Sequence, residues 1–162
     1  MTTITIDSPI QLQSILSSLG AEVVNEVSEK LLKIFREEYI QKYVYDNHGE
    51  NKEYDPTGQF KQAWEFTDVK PGLKEIVTEL FYNWSTMTFS QSGYVHSSAS
   101  PNWPEDVREG LADWLNRHIS SSHWFSVYRP ELYWDMFIKE MVDENRIEKL
   151  FTESFAKRGI RT

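Results

Sequence analysis

Apolar residues in the first quarter of the chain return every three or four positions, at Leu12, Leu16, Leu19, Val23, Val27, Leu31, Ile34 and Phe35. That rhythm lines them along one side of an α-helix. The other side carries Glu22, Glu26, Glu29, Lys30, Lys33 and Arg36, several of them three or four residues from an opposite charge. Ser8 suits the capping position, and Pro9, with no amide hydrogen to leave unpaired, suits the first helical one. The pattern predicts a long helix over about residues 9–41. Gly20 leaves two versions open, one continuous helix or a short helix joined to a longer one at the glycine.

Residues 46–58 are dense in Asp, Asn, Gly and Pro and read as an exposed loop. A hairpin region is expected over about residues 59–89. Its first arm runs through Phe60, Gln62, Trp64 and Phe66 to a turn at Lys70-Pro71-Gly72, and its second takes in the β-branched and aromatic run from Ile76 to Tyr82. Residues 90–104, rich in Ser, Gly, Asn and Pro, read as a long irregular connection. Pro104-Glu105-Asp106 then opens a helix with Val107, Leu111, Trp114 and Leu115 on one face, running out near Ser120. A further helix is expected to start with Pro130 at its first position, Glu131 and Asp135 by its positive end, and Trp134, Phe137, Ile138 and Met141 on one face. The rhythm slips across Asp143-Glu144-Asn145, which predicts a kink or break. A last helical segment with Ile147, Leu150, Phe151 and Phe155 ends at Lys157-Arg158-Gly159, a basic last turn and a glycine stop. The fold class expected is α+β in one domain over residues 1–162, a long N-terminal helix and C-terminal helices (about 104–158) packed on a small antiparallel sheet.

At 162 residues the chain is long enough to bury a sizeable core without staples, and it has no cysteine, so disulfides, thiol nucleophiles and cysteine-based metal sites are excluded. Met1 to Asp7 shows no basic segment followed by an apolar run, and no stretch approaches the length of a membrane span, so an unexported protein without membrane partners is expected. The net charge of −8 argues against general binding of nucleic acid, which needs concentrated lysine and arginine. Two meanings of the acid excess stay open, solubility for an aromatic-rich protein or a face past which DNA slides without sticking.

Candidate chemistry is sparse. His48, His96, His118 and His123 show no His-Glu-x-x-His spacing, so no metal site is expected. Ser97, Ser98 and Ser100 follow His96 without a Gly-x-Ser-x-Gly turn, and Gly49, Gly58, Gly72 and Gly93 are isolated rather than gathered in a phosphate loop. The expectation is therefore a non-enzyme with no catalytic residue, cofactor or metal. A small hydrolase using His96 and a nearby carboxylate is the distant alternative. The most distinctive stretch is the aromatic loop from His123 to Arg129 leading to Trp134. Trp124, Phe125, Tyr128 and Trp134 either complete an internal core or, with Arg129, belong to a subunit contact, since Trp, Tyr and Arg are the types enriched at interface hot spots.

The ordered set of a long first helix, Tyr54-Asp55-Pro56-Thr57-Gly58-Gln59-Phe60 entering an aromatic strand at Trp64, His96-Ser97-Ser98, and Arg129-Pro130 before Tyr133-Trp134-Asp135-x-Phe137 resembles the minor tail component, or tail-completion (neck), family of tailed bacteriophages. The resemblance covers most of the chain. It implies a structural virion subunit made in the host cytoplasm and placed at the head-tail junction, forming a ring with copies of itself, touching neighbouring neck and tail proteins, and letting DNA pass as cargo without specific binding. A ring needs head-to-tail contacts that close, and the aromatic loop is one side such a contact would use. The alternative class is an adaptor or immunity-type protein of the cytoplasm that pairs with one protein partner through the same aromatics.

Overall fold

The computed structural model describes residues 8–46, 58–72, 75–88, 107–116 and 132–160. Helix α1 (Pro9–Ile34) begins as its sequence dictates, with Pro9 in the first turn and the Ser8 hydroxyl accepting the Gln11 amide at 3.2 Å. It runs through Gly20 without a break. The glycine serves a close approach instead: a Cβ there would collide with Cδ1 of Ile76 on the hairpin. The helix then widens into a π-helical segment (Phe35–Tyr45) that carries it past the expected end at Gln41. The wider turn brings consecutive residues to the same face, and Tyr39 with Ile40, then Tyr43 with Val44, are all buried.

The region after Gly58 departs from the expected strand at its start. Residues Gln59–Gln62 form one helical turn, α2, entered through Gly58 at φ 77°, a left-handed conformation that suits glycine. Phe60 is buried from this turn rather than from a strand. Gln59 also closes the base of the hairpin, its side-chain oxygen accepting the Thr88 amide at 2.8 Å.

The hairpin itself follows. Strand β1 (Trp64–Phe66) pairs antiparallel with β4 (Leu80–Tyr82), and inside that pair β2 (Lys70–Pro71) pairs with β3 (Ile76–Val77). Trp64 faces Tyr82 and Phe66 faces Leu80, whereas Lys70 faces Val77, so the first arm holds one residue more than the second. That extra residue is a bulge near Thr67, where the Thr67 carbonyl accepts the Thr78 hydroxyl at 2.7 Å and the Thr67 hydroxyl accepts the Glu79 amide at 2.9 Å. A single 3₁₀ turn (Trp84–Thr86) follows β4.

Helix α3 (Val107–Asn116) lays Leu111 into the core. Helix α4 (Tyr133–Ile138) starts later than the expected start at Pro130, which lies outside the described residues: its first helical residue is Tyr133, capped by an extended Leu132. Leu132 offers no side-chain acceptor. The cap comes from another element, Asn116 Oδ1 accepting the Trp134 amide at 3.1 Å. Tyr133, Phe137 and Met141 form the buried face, and Ile138, expected on that face, is exposed. A short π-helical segment (Lys139–Asp143) continues α4, and the helix breaks where the rhythm slips, with Asn145 at φ 58°. Asparagine tolerates that left-handed conformation better than most residues.

Helix α5 (Arg146–Lys157) ends on Gly159 at φ 77°, with the Ile160 amide donating to the Phe155 carbonyl and the Gly159 amide to that of Ala156. This paired closure satisfies carbonyls the last turn would otherwise leave open. The architecture is α+β: α1 and its π-helical extension form the spine, the hairpin and α5 pack along it, and α4 lies against the extension.

Candidate assembly surface

The core sits where the spine, hairpin and α4 meet, and it is built from rings. Phe35 lies 5.0 Å from Trp64 edge-on, 4.7 Å from Phe137 and 5.7 Å edge-on from Trp134. Trp134 stacks on Trp64 at 5.7 Å and 20°, and Phe60, Tyr82 and Tyr133 complete the cluster. Trp134, expected either in the core or at a subunit contact, is thus half-buried against this chain's own rings. Trp64 contributes ring area rather than its polar edge, since its buried Nε1 has no hydrogen-bond partner among the described residues. Arg36 fastens the spine to the hairpin, its Nη2 donating to the carbonyls of Gln62 (3.1 Å) and Trp64 (2.6 Å).

Two polar clusters hold the C-terminal helices to the spine. In the first, Glu26 accepts from Lys30 (2.7 Å), Arg158 (2.6 Å), Lys157 (3.1 Å) and the fully buried Ser154 hydroxyl (2.8 Å). Lys30 first, then Arg158, Ser154 and Lys157, hold the Glu26 carboxyl well below the usual carboxylate range. In the second, the Tyr39 hydroxyl donates to Glu140 at 2.6 Å, and Arg146 bridges Glu140 and Glu38 at 3.2 Å each. Burial, then the bond to Glu140, raises the Tyr39 pKa above the ordinary tyrosine range, so Tyr39 keeps its proton and Glu140 stays the acceptor. Tyr133, whose pKa is raised chiefly by burial, donates to the Ala112 carbonyl at 2.9 Å and docks α3 on α4. Each of these perturbed groups has a partner on a neighbouring helix, an arrangement that joins elements rather than one aimed at a substrate.

The surface places apolar groups in unusual company at the start of α1. Ile10 is 79 %, Leu16 56 % and Leu12 40 % exposed, and the first buried residue of the helix is Val23. The helical rhythm puts Leu12 and Leu16 on the same side as Val23 and Val27, yet only the latter pair is buried. Arg158, next to the glycine stop of α5, reaches Glu22 at 4.0 Å and Glu26, and Ile76 of the hairpin reaches Gly20. Above that level Ile15 and Leu19 are partly buried, while Ile10, Leu12 and Leu16 are exposed. The one signal of this in the sequence is that residues 8–21 contain no Asp, Glu, Lys or Arg. Smaller exposed apolar groups are Val77 and Phe81 on the hairpin and Ile138 and Val142 on the helix through α4.

Trp124, Phe125, Tyr128 and Arg129 lie outside the described residues, as do the four histidines and Ser97, Ser98 and Ser100. Among the described residues no group of three or more His, Cys, Asp or Glu side chains is placed to hold a metal ion, and no helix is long and apolar enough to cross a membrane. No protein-family model, curated protein or solved structure matches the chain.

Proposed function

We propose that this chain is a structural subunit of a tailed-phage virion, a neck or tail-completion component that forms a ring with its copies at the head-tail junction and lets DNA pass. The observation that carries an assembly role is the exposure of Ile10, Leu12 and Leu16 at the start of α1. Leu12 and Leu16, four residues apart, share a face and Ile10 lies on the other side, so the end of the helix exposes apolar surface of the kind that marks a contact site. The motif order from Tyr54 to Phe137 supports the phage assignment within that role, and a net charge of −8 suits a subunit past which DNA must move without adhering.

The test is the mass of the purified protein, read by native mass spectrometry and sedimentation, together with its presence in purified phage particles. A closed ring of several copies, or incorporation at the junction, is the expected result. A stable one-to-one complex with a single different protein would replace this reading with the adaptor. His96→Ala is expected to leave particle formation and infectivity unchanged, and loss of function with intact folding would revive the hydrolase.

A further inference from the structure

Beyond Ile34 the spine leaves α-helical geometry for the 11 residues of Phe35–Tyr45 and closes with the Asp46 amide on the Gln41 carbonyl at 2.8 Å, a bond reaching five residues back instead of four. Such helices are rare, because the wider turn opens the helix axis and gives up contact within the backbone. Something outside the backbone must select this form. An α-helix turns about 100° per residue and would spread Phe35, Tyr39, Ile40, Tyr43 and Val44 over about half its circumference. The wider turn sets residues four and five apart side by side. Tyr39 and Ile40 then follow Phe35, Tyr43 and Val44 follow Tyr39, and all five are buried.

Contacts with other elements run the length of the segment. Near its start Arg36 is tied to the hairpin carbonyls, and near its end Lys61 donates from Nζ to Gln41 Oε1 at 2.9 Å and from its amide to the Tyr45 hydroxyl at 3.3 Å. Between them the Tyr39 hydroxyl meets Glu140 at 2.6 Å, with the Tyr39 ring edge-on to Phe137 at 5.3 Å. Glu140 itself lies in the second π-helical segment, Lys139–Asp143, which closes in the same way, the Glu144 amide on the Lys139 carbonyl at 3.1 Å. The two wide turns therefore meet at one hydrogen bond. We propose that Phe35–Tyr45 and Lys139–Asp143 form a paired conformational switch, both held in the π form while Tyr39 is bonded to Glu140 and both passing to the α form when that bond is broken. The α form is favoured by its own backbone, the π form by the cover that α4 and the hairpin give its buried face, so a contact that draws α4 away from the spine favours α. In that form Val44 turns to the side opposite Phe35, and the end of the spine, where Lys61 is tied on, rotates with it.

NMR couplings across hydrogen bonds identify the carbonyl that each amide reaches, and they test this in wild type, Tyr39→Phe and Glu140→Ala. Wild type is expected to couple the Asp46 amide to the carbonyl of Gln41 and the Glu144 amide to that of Lys139. Losing a hydrogen bond to a carboxylate shifts the balance of the two forms roughly tenfold. In both variants those couplings should therefore weaken and new ones appear one residue closer, to the carbonyls of residues 42 and 140. Tyr39→Phe keeps the buried ring and Glu140→Ala alters a partly exposed side chain, so the helical far-UV circular dichroism should be retained in both. Couplings to residues 42 and 140 already in wild type, or couplings in both variants unchanged from wild type, would overturn the proposal. Loss of the helical signal in both variants would overturn it as well, since the bond would then hold the fold rather than select the form of the helix.

Discussion

Truncating Trp134 to alanine tests whether the ring at the centre of the aromatic cluster belongs to the chain's own core. Removing a fully buried Phe or Trp side chain costs about 3–5 kcal/mol. Trp134 is only half-buried, so roughly half of that applies, and its stack on Trp64 with its edge contact to Phe35 adds about 0.5–1.5 kcal/mol beyond area. The expected destabilisation is about 2–4 kcal/mol. For a chain of this length each kcal/mol moves the melting temperature by about 2–4 °C, which gives a fall of about 4–16 °C. Urea and thermal unfolding followed by far-UV circular dichroism measure it, and Trp134→Phe, which keeps a ring against Trp64 and Phe35, should lose less than half as much. Loss of under about 0.5 kcal/mol, the range of an ordinary surface substitution, together with a changed assembly mass, would refute the reasoning and put Trp134 at a subunit contact.

Glu26→Gln probes the cluster that joins α5 to α1. The Glu26 carboxyl is held below its ordinary value of 4.5 by Lys30, Arg158, Ser154 and Lys157, so its contribution is complete above that pH and is lost as pH falls towards the folded-state value. The variant should be less stable than wild type near neutrality, and the gap in melting temperature should narrow as pH drops below 4.5; a gap constant with pH would show that Glu26 titrates normally. Gly159→Ala, at φ 77° in the closing turn of α5, should cost about 1 kcal/mol by chemical denaturation, and an unchanged midpoint would mean the turn is not held in that conformation. Gly20→Ala combined with Ile76→Val should be more stable than Gly20→Ala alone, because the shorter side chain vacates the space that the new Cβ enters; equal stability would remove the close approach as the reason for glycine.

What was legible in the sequence is what neighbouring residues decide among themselves. Ser8-Pro9 starts α1 because the capping hydroxyl and the proline act on the same turn, and the break at Asn145 and the stop at Gly159 are written where single residues take up left-handed backbone. The beginning of α4 was misjudged for the opposite reason. Pro130 and Glu131 carry local signals for a helix start, yet the start lies at Tyr133, where Asn116 supplies an acceptor from another helix. Gly20 left both a continuous and a broken helix open because local propensity penalises glycine, and the choice is made by a side chain on the hairpin that needs the space it leaves.

The same distinction explains why the exposure of the first turns of α1 was not legible in the sequence. Helical periodicity states that Leu12, Leu16, Leu19, Val23, Val27 and Leu31 lie along one side of α1, and it carries no information about what covers each of them. Cover depends on how far α5 and the hairpin extend along α1, and that is set by long-range ties: Glu26 to Arg158, Ser154 and Lys157, and the contact of Ile76 with Gly20. The ties named here reach Gly20, and the stretch of α1 before it is also the stretch without charge. A helix end that met only water would gain solubility from charged residues along its outer turns, as the same helix does lower down at Glu22, Glu29 and Lys33. Leucine, isoleucine, serine and glutamine stand in their place along the first turns.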